Sequence, residues 1–137
     1  MKRLVGFSLL LISLGIFGAC SQTNKLDENA QKAEKEVLAF YNEINKEIRE
    51  EESASTFEGD LTEGNVKKVY YSGEDFNEYI FVTEEQLYSD PQLKEKENKI
   101  TCHYLYKHSK SHVISDKEFE KLVKDESNNF EKIYEVD

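Results

Sequence analysis

Leu26-Asp27-Glu28-Asn29-Ala30-Gln31-Lys32-Ala33-Glu34-Lys35-Glu36-Val37-Leu38-Ala39-Phe40-Tyr41-Asn42-Glu43-Ile44-Asn45-Lys46-Glu47-Ile48 is the stretch on which the fold turns. Its apolar residues fall at 26, 30, 33, 37, 40 or 41, 44 and 48. That three-and-four spacing draws one greasy stripe along a helix whose other faces are charged. Asn24 is placed to cap the helix, Asp27 favours the positive end of its dipole, and the pattern fades into Glu50-Glu51-Glu52-Ser53. At about 1.5 Å per residue the helix is roughly 40 Å long, more than a small domain accommodates unless a sheet wraps it. Fewer than four clean heptads are present, so the stripe is expected to bury against the chain's own sheet and not in a coiled coil.

Downstream, Ser53 to Asn65 reads as a loop because it collects Gly59, Asp60, Gly64 and several hydroxyls. Val66-Lys67-Lys68-Val69-Tyr70-Tyr71 and Asn77-Glu78-Tyr79-Ile80-Phe81-Val82 then flank Ser72-Gly73-Glu74-Asp75, which spells a β-hairpin. Glu84 to Lys99 is polar, holds Pro91, the single proline, and reads as a long connection with a little helix. A third strand runs Ile100 to Lys107 with Ile100, Cys102, Tyr104 and Tyr106 on one face. A turn at Ser109-Lys110 returns the chain through His112-Val113-Ile114. Ser115 and Glu118 have capping-box spacing ahead of Phe119, Leu122 and Val123, and Asn128-Asn129 breaks that helix. The tail from Phe130 to Val136 fits either an edge strand or further helix. The expected class is α+β: a long N-terminal helix on an antiparallel sheet of three to five strands, with a short C-terminal helix.

The amino terminus carries a different message. Lys2 and Arg3 precede an apolar run from Leu4 to Phe17, followed by Gly18-Ala19-Cys20, the layout of an export signal with a small-residue cleavage site. About 14 apolar residues fall short of the ~20 that span a bilayer, so the segment is expected to be removed and not to stay as a span. Ile16-Phe17-Gly18-Ala19-Cys20 resembles the lipobox of bacterial lipoproteins, with Phe17 where that family usually has Leu. The resemblance implies cleavage before Cys20 and a diacylglycerol on its sulfur, whose two acyl chains hold a protein on the membrane where one binds only reversibly. The chain then divides into a leader, 1–19, a lipidated tether, 20–25, and a single domain, 26–137. A tether this short reaches about 15 Å, which puts the domain against the outer face of the cell membrane.

With Lys2 and Arg3 gone, 16 basic side chains face 28 acidic ones, a net charge of −12. Phosphate binding depends on Lys and Arg, so nucleic acid is excluded as a partner and a basic protein is favoured. Two arginines against sixteen lysines suit an AT-rich Gram-positive genome. With Cys20 acylated, Cys102 has no cysteine to pair with, and packing must hold the fold. The lipobox cysteine, the Lys/Glu-rich helix, and Gly64-Asn65-Val66-Lys67-Lys68-Val69-Tyr70-Tyr71 followed by Tyr-rich strands together resemble the small cystatin-like-fold lipoproteins of Gram-positive bacteria. That likeness implies an architecture of cystatin or NTF2 type and assigns no site. The Gln-x-Val-x-Gly loop with which true cystatins block proteases does not occur in the sequence.

Other constellations read as structural. Cys102 and His103 are neighbours on a strand and point to opposite faces, so they cannot share an ion; Cys102 is expected in the core, and His103, His108 and His112 at the surface or in turns. Glu58, Asp60, Glu63 and Asn65 gather oxygens without the Asp-x-Asp-x-Asp-Gly order of a calcium loop. Glu51-Glu52 and Glu84-Glu85 read as solvated pairs. The tyrosines at 70, 71 and 79 are expected to steady the sheet, the alternative being that they present rings to a partner beside His103 and Lys107. No catalytic, cofactor or metal-binding set is expected, and Cys20 is the one site residue. The functional expectation is a non-enzymatic lipoprotein that docks a protein near the membrane, as an envelope or mobile-element accessory. The alternatives are an immunity lipoprotein that neutralises a toxin and a carrier of a peptide or small ligand.

Overall fold

The computed structural model describes residues 25–51, 55–73 and 77–136, so Cys20, Asn24, Glu52 and the leader lie outside the described residues. The long helix, α1, runs Glu28–Glu50. Its cap is Asp27, whose carboxylate accepts the Ala30 N–H at 2.8 Å, a role expected of Asn24. A short acceptor at the first turn satisfies an N–H that the helix cannot reach itself. Ala30, Ala33, Val37, Leu38 and Tyr41 are buried along one stripe, and the small pair Ala30 and Ala33 lets the helix seat closely on the sheet.

The strands are β1, Phe57–Glu58; β2, Val66–Ser72; β3, Glu78–Tyr88; β4, Lys96–Lys107; β5, Lys110–Ile114; and β6, Glu131–Glu135. They form an antiparallel sheet in the order β5-β4-β3-β2-β6, with β1 added beside β3. The short helix α2 is Asp116–Lys124, and single 3₁₀ turns occupy Glu63–Asn65 and Glu126–Asn128. The fold is thus α+β, as expected, with six strands where three to five were expected.

Alternation along the strands builds two cores. Val66, Val69, Tyr79, Phe81 and Tyr104 face α1. Ile80, Val82 and Ile114 face the other way, where Phe119, Leu122 and Val123 of α2 cover them together with Tyr70, Leu105 and Phe130. Ser115 caps α2 by accepting the Glu118 N–H at 3.1 Å. Tyr70 meets Phe119 edge-on at 5.4 Å, and Tyr71 lies 5.1 Å from Tyr79, so these rings do steady the sheet.

Several expected boundaries move. The connection expected over 84–99 is mostly sheet: β3 continues to Tyr88 and β4 begins at Lys96. This distal hairpin lies beyond the cores and is largely polar, so hydrophobic periodicity does not mark it. Backbone pairing does, aided by Gln86 Nε2 donating to the Glu97 carbonyl at 2.7 Å. The loop expected over 53–65 contains β1, with Phe57 buried. It is pinned to α1 by Asn42, whose amide donates to the Leu61 carbonyl at 2.9 Å and accepts the Leu61 N–H at 2.6 Å. The β4–β5 turn is His108-Ser109, both in the left-handed region at φ 53° and 58°, as a two-residue turn matching the twist of its strands requires. The tail is strand: β6 pairs with β2.

Candidate functional site

Beneath the C-terminal half of α1, three elements push polar side chains into the α1-facing core. On β3 the inward row Tyr79, Phe81, Thr83 continues to Glu85, which is 1 % exposed. Glu84, one residue earlier, points outward and pairs with Lys99 at 3.2 Å. The expectation that Glu84-Glu85 is a solvated pair is therefore wrong for Glu85: strand alternation sends adjacent residues to opposite faces, and β3 extends far enough to carry it inside. Across the ladder Cys102 stands opposite Thr83 and Tyr104 opposite Phe81, while β1 delivers Glu58 and α1 delivers Asn45, which is 5 % exposed.

The ligating atoms of Glu58, Glu85 and Cys102 all lie within 4.8 Å of one another. Thr83 and Tyr104 hydroxyls both donate to Oε2 of Glu85, whereas Oε1 is buried without a hydrogen-bond partner, as is Nδ2 of Asn45. Burial, followed by the neighbouring Glu85 carboxylate, pushes the Glu58 carboxyl up to about 7, against the opposing pull of the Asn45 amide. A carboxyl this poorly solvated beside a second carboxylate favours its protonated form, so Glu58 keeps its proton up to near neutral pH. Burial first, then the charges of Glu85 and Glu58, push the Cys102 thiol up to about 12, so without a cation beside it Cys102 is a thiol and a weak nucleophile. The arrangement can hold protons or accept a cation.

The other singled-out residues do not converge. Arg49 donates to the Glu58 carbonyl at 2.9 Å and pairs with Asp60 at 3.2 Å. Asn65 closes a capping box with Thr62 and donates to the Glu84 carbonyl at 2.9 Å. Glu63 lies near Glu34, so the oxygens of this loop are dispersed and do not ring a calcium ion. Cys102 and His103 do face opposite sides. His103, however, is buried and not at the surface, because α2 covers that face: its ring stacks on Phe119 at 4.2 Å, with Nδ1 3.2 Å from the exposed Asp116 carboxylate. His108 sits in the turn and His112 is exposed, as expected.

At one margin of the sheet β5 has a strand neighbour on one side only, among the described residues. Val113, opposite Tyr104 in register, is 61 % exposed, and Phe40 of α1 is 49 % exposed. Tyr41 joins them, with its ring edge-on to Phe40 at 5.1 Å and its hydroxyl hydrogen-bonded to the Val113 backbone. A strip of sheet edge with two apolar side chains results, one of the ordinary forms of a protein-binding surface. Sequence reasoning missed both this strip and the Glu58–Glu85–Cys102 cluster; the continued alternation past Val82 was the one available signal for Glu85. In comparisons with known proteins the chain gives no significant match to a family model, to a curated protein or to a solved structure.

Proposed function

We propose that the chain is a non-enzymatic bacterial surface lipoprotein, held on the outer face of the membrane by a diacylglycerol on Cys20, whose acidic domain captures an extended segment of a partner protein along β5. The open β5 edge flanked by Val113 and Phe40 carries the docking part of this reading. An added strand gains main-chain hydrogen bonds from the part of the edge that the Tyr41 hydroxyl leaves free, and apolar contact from the two side chains. The acidic balance, 28 carboxylates against 18 basic residues in the whole chain, speeds encounter with a basic partner and makes it salt-sensitive. The leader and Gly18-Ala19-Cys20 support the anchor, and the α+β layout suits the cystatin-like lipoproteins that the sequence resembles. Within that group the role is that of an accessory to an envelope or mobile-element machine.

Affinity capture from cell envelopes with the full chain tests this. A basic partner is expected to be retained at low salt and weakened at high salt. Val113→Asp is expected to cut retention roughly tenfold, the scale of one interface anchor, with the melting temperature unchanged because Val113 is exposed. Equal retention by Val113→Asp would remove β5 from the account, and failure to capture any protein while a small molecule raises the melting temperature would replace docking with ligand carriage.

A further inference from the structure

We infer that Glu58, Glu85 and Cys102 form a binding site for a single divalent cation of the zinc class. The inference does not depend on the docking reading. Two carboxylates and a sulfur whose ligating atoms fall within 4.8 Å of one another need only modest side-chain adjustment. Around tetrahedral zinc, with bonds of about 2.0–2.3 Å, neighbouring ligand atoms sit roughly 3.3–3.8 Å apart.

The buried polar atoms around the cluster point to a ligand. Glu85 is fully enclosed, with one oxygen fixed by Thr83 and Tyr104 and the other left with no donor but a proton on Glu58 or Cys102, which a cation would replace. A buried carboxylate oxygen without a partner is costly, and native structures rarely leave one. Asn45 comes from a different element, is 5 % exposed, and has an amide nitrogen beside Glu58 that finds no other partner. With its amide turned over, an assignment that rests on the hydrogen-bond network, Asn45 offers a carbonyl oxygen as a fourth ligand. The hydroxyls on Glu85 then act as the outer partners that orient a ligating carboxylate.

Donor chemistry selects the ion. Magnesium and calcium take oxygen sets at higher coordination number, whereas one thiolate with carboxylates and an amide oxygen suits a borderline ion in a four-coordinate site. Glu58 and Cys102 are only half-buried, so the cluster is not sealed from solvent.

The test uses the full-length chain carrying Cys20→Ala, which leaves Cys102 as its single thiol, purified in detergent and titrated with Co²⁺. Stoichiometric appearance of tetrahedral Co²⁺ absorption with a thiolate charge-transfer band is expected, erased by Zn²⁺. The melting temperature should rise with Zn²⁺ concentration and stay unmoved by Mg²⁺ or Ca²⁺. Cys102→Ser should remove the charge-transfer band. Glu58→Gln, at the half-exposed rim where the fold tolerates it, should weaken Co²⁺ by roughly tenfold or more with an unchanged circular dichroism spectrum. A Co²⁺ spectrum that stays octahedral, or a charge-transfer band that survives Cys102→Ser, overturns the site.

Discussion

Glu34 shows how a single carboxyl makes this fold sensitive to pH. It is 6 % exposed on the buried flank of α1. Burial, then the charge of Glu63, raises its pKa from 4.5 to about 7 against the opposing pull of Lys35. Below the unfolded value the group is protonated in both states and costs nothing; above 7 it is ionised in both, and only the folded form bears the burial penalty. Stability from this residue is therefore complete in acid and lost as pH rises through about 7, and Glu58 adds a second step of the same sign. Glu34→Gln is expected to stabilise the protein by about 2–3 kcal/mol at pH 8, a rise in melting temperature of roughly 5–10 °C, and by nothing at pH 4. Thermal melts across that range check it, and an equal gain at both ends contradicts it. Which acids are buried was only partly legible in the sequence. Glu34 falls one place beside the apolar stripe and Glu85 extends the β3 alternation, so both could be placed by period. The meeting of Glu58 with Cys102 depends on a two-residue strand joining β3, which no local pattern announces.

At the scale of elements, α2 is a lid over the second core. Its stripe was plain from Phe119, Leu122 and Val123, as was the Ser115 cap. What the stripe would cover was not, because His103 reads as a polar surface residue until Phe119 stacks on it. Phe119→Ala is expected to destabilise the protein by about 2–4 kcal/mol, since the ring also packs on Tyr70. Burial lowers the His103 pKa, with Asp116 pulling the other way, so opening the lid should let His103 titrate at higher pH. Nuclear magnetic resonance of the imidazole follows that shift, and a titration unchanged in the variant contradicts the lid. α1, the β2–β3 hairpin and the inner part of β4 were readable because each buries one face in a regular period. The distal ends of β3 and β4 were not, since residues 86–88 are only half-buried, residues 96–99 are exposed, and backbone pairing keeps them extended without an apolar period. β6 was undecidable over so few residues, and its identity comes from its neighbour β2.

For the whole molecule, the α+β class followed from period, whereas β1, β6 and the strand order did not: β6 crosses back to β2 and β1 joins β3 through contacts distant in sequence. On the proposed reading the acidic domain is expected within about 15 Å of lipid, with the β5 edge facing a basic partner. Cys20→Ala is accordingly expected to shift the protein from the membrane to the medium, or to leave unprocessed precursor, as fractionation would show. The most direct measurement is the mass of the native amino terminus purified from its own cells. The mature chain is expected to begin at Cys20 and to carry a diacylglycerol on its sulfur. A bare thiol at that position, or a leader still attached, contradicts it.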